Sequence, residues 1–180
     1  MKTALLQLTS SDNPCDNLVA TRAHLREAVG QGAQFVLTPE ITNCVSANRA
    51  HQVEVLQHEA DDLTLAALRA EAAELGIWLV AGTIPVVSDD PLRPTATCFV
   101  YDDRGDLAGR YDKRVLMPFG EYIPLGDRFP SLYALSPETG NFAAGLDHTP
   151  LPLGSSARLG VLICYEDLVP ASARAAVAAG

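Results

Sequence analysis

Residues 158–170 read Arg158-Leu-Gly-Val-Leu-Ile-Cys-Tyr-Glu-Asp-Leu-Val-Pro170, and this stretch decides the fold. Leu159 to Ile163 is an almost wholly apolar run rich in β-branched residues, which predicts a buried strand. The Ala-rich pattern from Pro170 to Ala179 predicts a helix. Cys164 is therefore expected at the carboxyl end of a strand and just ahead of a helix, where open α/β sheets hold ligands and nucleophiles.

The rest of the chain alternates between strand and helix patterns. Apolar runs predict strands over residues 3–9, 34–38, 77–86, 95–101 and 107–111, and helical spacing predicts helices over residues 17–29, 63–75 and around 51–59. The strand-helix alternation predicts an α/β fold, and the hairpin over residues 95–111 makes its sheet mixed. Residues 111–130 hold several prolines and glycines among dense apolar residues, which predicts an ordered loop that lines a site.

Composition restricts the class of protein. The chain has 180 residues, 48% of them hydrophobic, so it can bury a core and is expected to form one domain. Its net charge of −9 disfavours nucleic acid and anionic membranes as partners. The sequence has no apolar run approaching the roughly 20 residues of a membrane span and no recognisable signal peptide, so we expect a cytoplasmic protein with no membrane segment in this chain.

The cysteines and histidines do not indicate a metal centre. The four cysteines are far apart in sequence and lack CxxC spacing, which disfavours both a disulfide framework and a zinc site. His51 and His58 are seven positions apart, which on a helix separates them by about 10 Å along the axis, too far to share one ion. We therefore expect no metal and no cofactor.

Lys113 stands out because the chain otherwise uses arginine. Of thirteen basic residues, only Lys2 and Lys113 are lysines. A lysine kept in the middle of such a chain can supply a compact amine that guanidinium cannot replace. The alternative is that this lysine has no special role.

Glu40, Lys113 and Cys164 each come after a predicted strand. Together these groups suit one reaction: the carboxylate takes the proton of the thiol, and the sulfur attacks an acyl carbon. The ammonium then stabilises the negative charge that develops on oxygen. Each residue alone also has an ordinary interpretation: a small core cysteine, a charge at a helix terminus and a surface cation.

Three separated motifs carry a family resemblance. The order of Phe-Val-Leu-Thr-Pro-Glu40, Tyr-Asp-Lys113-Arg-Val-Leu and Gly-Val-Leu-Ile-Cys164-Tyr-Glu resembles the carbon-nitrogen hydrolase (nitrilase) superfamily and its Glu-Lys-Cys triad. The resemblance runs over the whole chain. It implies an α-β-β-α sandwich that usually pairs into dimers, so a homo-oligomer is expected.

The resemblance also implies residue roles. Glu40 would be the general base, Lys113 the cation that stabilises the oxyanion, and Cys164 the nucleophile that forms a thioester. The backbone N–H of Tyr165 would be a second oxyanion donor, and Glu121 would position the substrate or the lysine. Glu166 matches a supporting residue, although a charge at a helix N-terminus explains it equally well.

The motifs point to two branches of the superfamily. Residues 3–43 look like small soluble Nit-type amidases, whereas residues 111–170 are similar to the catalytic domain of apolipoprotein N-acyltransferase. We expect hydrolysis of a small-molecule amide, with N-acyl transfer as one alternative and an inactive, truncated relative that acts only through association as another.

The length of the chain adds a further expectation. Domains of the superfamily continue for roughly another third beyond the helix at residues 170–179, so residues 1–180 are interpreted as a C-terminally incomplete carbon-nitrogen hydrolase domain. A crossover helix needs its returning strand to cover the sheet. We therefore expect marginal stability and exposed apolar surface near residues 159–179.

Overall fold

The computed structural model describes residues 1–87, 93–137, 139–154 and 157–180. Its helices are α1 (Pro14–Gly30), α2 (Arg49–Val55), α3 (Leu63–Leu75) and α4 (Pro170–Ala178). Its strands are β1 (Thr3–Leu5), β2 (Phe35–Leu37), β3 (Trp78–Val87), β4 (Pro94–Tyr101), β5 (Leu107–Asp112), β6 (Leu151–Leu153) and β7 (Ala157–Leu159).

Five strands form one mixed sheet in the order β1-β2-β3-β4-β5. The first three strands are parallel, and β3, β4 and β5 pair in antiparallel fashion. The carboxyl end of β2 therefore lies at the same edge of the sheet as the carboxyl end of β5, because β3 and β5 run in the same direction. This arrangement confirms the prediction of an α/β fold with a mixed sheet.

The helices that flank the sheet begin and end at residues that suit those positions. The Asn13 side chain accepts from the backbone N–H groups of Cys15 and Asp16 at the start of α1. Asp62 caps α3 in the same way, and Gly76 ends that helix with φ of 61°, a left-handed conformation that glycine adopts without steric cost.

Two apolar cores form because successive strand residues point to opposite faces of the sheet. Leu79 and Ala81 of β3 pack in the core beneath α1 and α3, whereas Val80 packs in a second core on the other face. The second core also contains Leu151 of β6 and Ile163. The two-stranded sheet β6-β7 therefore covers the face opposite the helices, which gives the order helix, sheet, sheet of the predicted sandwich.

The prediction of a strand over Leu159 to Ile163 is wrong in its extent. Strand β7 ends at Leu159, where its pairing with β6 ends, and residues 160–163 continue as irregular chain. The backbone N–H of Ile163 donates to the Glu166 carboxylate at 2.9 Å instead of to a neighbouring strand. Leu162, Leu168 and Val177 are exposed, in line with the apolar surface expected in this region.

Two further boundaries differ from the prediction. The first strand ends at Leu5, and not at Thr9. The helix expected over residues 51–59 ends at Val55, because Gln57 pairs with the end of β3 through a hydrogen bond from the Val87 backbone N–H at 3.0 Å.

Candidate active site

Glu40 lies in a tight turn directly after β2. Thr38 anchors the start of this turn, because its hydroxyl accepts a hydrogen bond from the Gly82 backbone N–H at 2.8 Å. A Cβ at Gly82 would lie 2.1 Å from the Pro39 carbonyl oxygen, so only glycine lets β3 approach the turn this closely. Ile41 has a φ of 53°, an uncommon conformation for a β-branched residue, and it turns the chain sharply after Glu40.

Lys113 follows β5, and its side chain is only 1% exposed. Its backbone is held on both sides: its N–H donates to Ala96 O at 2.9 Å, and its carbonyl accepts from the Gly145 N–H at 2.8 Å. The ammonium Nζ lies 2.8 Å from Glu121 Oε1 and 3.8 Å from Glu40 Oε1. The two carboxylates compensate the charge of a buried cation, which would otherwise be costly.

Glu121 fixes the orientation of the lysine from the loop of residues 113–129. One carboxylate oxygen accepts from Lys113 Nζ, and the other accepts from the Met117 backbone N–H at 2.7 Å. A second link, from the Glu121 N–H to the Met117 carbonyl, closes the same turn. Both oxygens are therefore engaged, and the carboxylate holds one position.

Cys164 occupies a sharp turn in which its own φ is 51°. A non-glycine residue in this conformation is strained, as is common for nucleophiles presented on a tight turn. The Glu40 carboxylate, the Lys113 ammonium and the Tyr165 backbone N–H all lie near enough to the thiol to affect its pKa. Burial and then the negative charge of Glu40 raise the pKa of the Cys164 thiol, while Lys113 opposes this effect.

Glu166 supports the site from behind. Its carboxylate is fully buried and accepts four hydrogen bonds: from the Tyr111 hydroxyl at 2.8 Å, the Arg114 and Val115 N–H groups at 3.0 Å and the Ile163 N–H at 2.9 Å. These bonds join the end of β5 and the chain after Lys113 to the turn that carries Cys164. Burial and the bond to Glu166 raise the pKa of Tyr111, so its hydroxyl stays a donor.

A cavity of about 480 Å³ opens beside these groups. It is bordered by Glu121, by Ile41 next to Glu40 and by several residues of the segment 43–56. The remaining lining residues come from β3, β4 and the loops around Gly120 and Phe142. Such a volume suits a small-molecule ligand.

The described residues include no cluster of three or more metal-ligating side chains. Within the described ranges, no helix has both the length and the apolar character needed to cross a membrane. Cys15, Cys44, Cys98 and Cys164 are all free thiols.

All six candidate residues from the sequence lie together. Glu40, Lys113, Glu121 and Cys164 lie in one group, the Tyr165 backbone N–H lies near the thiol, and Glu166 accepts from the Ile163 N–H next to Cys164. The sequence analysis missed Gly82 and Asn43. The Ala-Gly-Thr sequence within a predicted strand was a usable signal for Gly82, because an internal strand glycine often marks close backbone approach.

The α/β sandwich thus holds a buried lysine between two carboxylates, with a cysteine of positive φ beside them. The chain matches the carbon-nitrogen hydrolase family over residues 2–180. It belongs to that family.

The relatives come from both branches that the motifs indicated. The chain is 28% identical over 164 residues to the deaminated glutathione amidase of Yersinia enterocolitica. The aligned region covers 91% of the chain and 54% of that protein. It is 34% identical over 114 residues to the apolipoprotein N-acyltransferase of Geobacter metallireducens, covering 63% of the chain and 22% of that protein. The chain thus spans about half the length of the first relative and about a fifth of the second.

Solved structures of amidases share the fold. A mutant of the amidase from Nesterenkonia sp. superposes with a TM-score of 0.77 at 26% identity, over 100% of the chain and 63% of that protein. This similarity confirms the prediction of a nitrilase-like fold, and the matched structure is longer than this chain.

Proposed function

We propose that this protein hydrolyses a non-peptide C–N amide bond of a small molecule through a cysteine acyl-enzyme. One observation carries the proposal: a buried Lys113 ammonium lies between Glu40 and Glu121, and the charges of Glu40 and Lys113 both act on the Cys164 thiol. A base, a cation and a nucleophile thus occupy one site. We further propose that residues 1–180 all belong to one carbon-nitrogen hydrolase domain.

In the acylation step, Glu40 takes the proton of the Cys164 thiol as the sulfur attacks the amide carbon. The carbonyl oxygen becomes an oxyanion, which the Lys113 ammonium and the Tyr165 backbone N–H stabilise. The C–N bond then breaks, and protonated Glu40 gives its proton to the leaving nitrogen. The products of this step are an amine or ammonia and a thioester on Cys164.

In the deacylation step, Glu40 accepts a proton from a water molecule as that water attacks the thioester carbon. The same cation and N–H group stabilise the second oxyanion. The C–S bond breaks, and the Cys164 sulfur recovers the proton held by Glu40. A carboxylic acid leaves, and the net reaction consumes one water without a cofactor.

A solved relative supports the assignment of the nucleophile. In the Nesterenkonia amidase structure, a mutant with glutamine in place of a glutamate shows the Michael addition of acrylamide at its active-site cysteine. That protein therefore has a cysteine nucleophile in its active site. By analogy, we assign this role to Cys164.

N-acyl transfer is the second candidate. It is favoured by the similarity to an apolipoprotein N-acyltransferase and by large apolar side chains exposed on the loop beside the site, namely Met117, Phe119, Leu125 and Phe129. In that reaction an amine would replace water in the second step. A lipid donor would then be the source of the acyl group.

The test measures ammonia release from a panel of primary amides. Wild-type protein should release ammonia, and Cys164→Ser, Lys113→Met and Glu40→Gln should each lower the rate by at least about a hundredfold. Cys15→Ser is the matched control, because Cys15 is a free, exposed thiol near the start of α1. Hydrolysis that survives in Cys164→Ser would contradict the proposal.

Two further outcomes of these assays distinguish N-acyl transfer from a non-catalytic role. Acyl transfer from a phospholipid to an added amine, without hydrolysis of any amide, would favour the second candidate. A folded protein that catalyses neither reaction would favour a relative that acts only through association.

We propose a homodimer in a cytoplasmic setting. The free thiols fit a reducing compartment, and apolar side chains such as Leu168 and Val177 are exposed. Sedimentation velocity tests the dimer, since a purely monomeric protein across micromolar concentrations would contradict it.

A further inference from the structure

The described lining of the cavity beside the active site carries few charged groups. Among its described lining residues, Glu121 carries the only ionisable carboxyl group, and none is a lysine, arginine or histidine. Burial, followed by the charge of Asp12, raises the pKa of the Cys44 thiol in the lining, so this thiol stays neutral at neutral pH. Glu121 is already paired with Lys113 at 2.8 Å, so an anionic ligand group would lose its hydration in this cavity without gaining a basic partner from the described lining.

Most of the lining is apolar. The apolar residues come from three parts of the chain: Ile41, Val53, Val55, Leu56, Pro85, Pro94 and Phe142. Ligand pockets of this kind bury an apolar body and use few polar groups to fix its orientation. The shape and chemistry therefore suit an apolar ligand body.

Asn43 is one of the polar residues of the lining, together with Gln52 and Glu121. It lines the cavity, is only 6% exposed, and its side-chain oxygen is buried without a hydrogen-bond partner among the described residues. A buried polar atom without a partner costs free energy unless a ligand or water satisfies it. Because this oxygen is closed off from solvent, a ligand in the cavity contacts the carboxamide through its NH₂ group, which donates to no described residue.

The backbone around Asn43 is held in place. Its carbonyl accepts from Asn17 Nδ2 at 2.8 Å, and the N–H of Val45 donates to Ser11 O at 2.8 Å. The Thr42 hydroxyl donates to Pro39 O at 2.6 Å, which links this segment to the turn of Glu40. These hydrogen bonds hold the loop that carries Asn43, so the loop does not have to become ordered when a ligand binds.

We propose that this cavity binds the non-reacting body of a neutral, mainly apolar amide that carries one hydrogen-bonding group for Asn43. The inference rests on the proposed function and specifies its substrate class. Amides with a carboxylate on the body are poor substrates, because the described lining has no lysine, arginine or histidine to pair with that carboxylate. Asn43 is the residue that sets specificity for the polar group on the body.

The first experiment compares three primary amides of matched length: hexanamide, 6-hydroxyhexanamide and the monoamide of adipic acid. From ammonia release, kcat/KM should be at least about tenfold higher for the two neutral amides than for the carboxylate. Asn43→Leu should lower the ratio of kcat/KM for the hydroxyl amide over hexanamide by about fivefold, because one hydrogen bond is lost. An unchanged ratio in folded Asn43→Leu would overturn the role of Asn43.

A second variant tests the charge argument without changing Asn43. Val53 lines the cavity and is 57% exposed, so Val53→Lys can be accommodated and should raise the relative kcat/KM of the adipic monoamide by about tenfold. Val19→Lys is the matched control, because Val19 is exposed on α1 and does not line the cavity. Equal effects of the two variants would overturn the assignment of this cavity.

Binding to Cys164→Ala separates this inference from the proposed function. Saturation-transfer NMR should detect the neutral amides at millimolar concentration and should detect the adipic monoamide much more weakly. Binding of neutral amides without any hydrolysis by wild-type protein would contradict the proposed function while supporting the cavity assignment. Stronger binding of the carboxylate, or no binding of any amide, would overturn the inference.

Discussion

At the residue scale, Glu40 acts on the Cys164 thiol in two opposing ways. In the proposed mechanism Glu40 accepts the thiol proton during attack, whereas in the resting site its charge raises the pKa of the same thiol. Lys113 pulls the pKa of the thiol in the other direction. The site therefore holds a neutral thiol next to its base and forms the thiolate only as the reaction proceeds.

Glu40→Gln separates these two effects. Removing the carboxylate should lower the pKa of Cys164, so the pH midpoint for alkylation by iodoacetamide shifts to lower pH, while ammonia release falls by at least about a hundredfold. Peptide mapping identifies the labelled thiol, and Cys98 should stay unlabelled because burial raises its pKa to about 12. Glu27→Gln, a change of an exposed glutamate on α1, is the control. A midpoint at higher pH in Glu40→Gln would contradict this account.

Glu166 is expected to matter for stability as well as for catalysis. Glu166→Gln replaces one acceptor oxygen with a donor in a buried site whose four hydrogen bonds all need an acceptor, which should cost about 2–4 kcal/mol of the free energy of unfolding. Tyr111→Phe removes only one of these donors and should cost about 1 kcal/mol. Urea denaturation measures both values. Equal, small losses in the two variants would argue against a central role for the Glu166 carboxylate.

At the element scale, the close approach of β3 to the turn of Glu40 depends on Gly82. Gly82→Ala should lower the free energy of unfolding by at least about 2 kcal/mol, because the new Cβ meets backbone atoms that cannot rotate away. Gly30→Ala, at the end of α1 with no atom within 4 Å of the added Cβ, should change stability by less than about 1 kcal/mol. Thermal denaturation of both variants checks this, and comparable losses would contradict the steric argument.

The pairing of α1 with α3 depends on a buried carboxylate. Glu71 of α3 accepts hydrogen bonds from Arg22 and Arg26 of α1 at 2.6 and 2.9 Å. Burial works to raise the pKa of Glu71, but the bonds and charges of Arg26 and Arg22 outweigh it, so the net pKa is lowered.

This lowered pKa gives a signed pH dependence. A carboxyl group with a lower pKa in the folded state contributes stability above its unfolded pKa and loses it as the pH falls through the folded value. The urea midpoint of wild-type protein should therefore fall from neutral pH to about pH 3, and less steeply in Glu71→Gln. Glu74→Gln is the control, because Glu74 is 59% exposed and bonds only to Arg26. Parallel pH profiles for wild type and Glu71→Gln would contradict the assignment.

At the scale of the whole molecule, local patterns were enough to predict the main elements. The bounds of α3 agree with the prediction because the helical spacing over Leu63–Leu75 is followed directly by a glycine. In the structure Asp62 caps the start of this helix and Gly76 caps its end. The strand expected over Leu159 to Ile163 failed because strand formation depends on a neighbour, and β6 pairs only with residues 157–159. Periodicity does not report which distant segment is available for pairing.

The candidate site was predictable only in part. Glu40, Lys113 and Cys164 could be found because chemistry-bearing residues follow predicted strands, and the family motifs then supplied Glu121, Tyr165 and Glu166. Asn43 could not be found in this way, because its significance lies in an unpartnered oxygen beside a cavity. Such a feature is created by packing between distant segments and leaves no pattern in the sequence.

Trapping the acyl group on the protein tests the central claim most directly. Wild-type protein is mixed with hexanamide, quenched in acid and measured by intact-mass spectrometry with peptide mapping. We predict an added hexanoyl group on Cys164 that is absent in Cys164→Ala, which should also release no ammonia. An acyl group on another residue, or ammonia release by Cys164→Ala at the wild-type rate, would contradict the account.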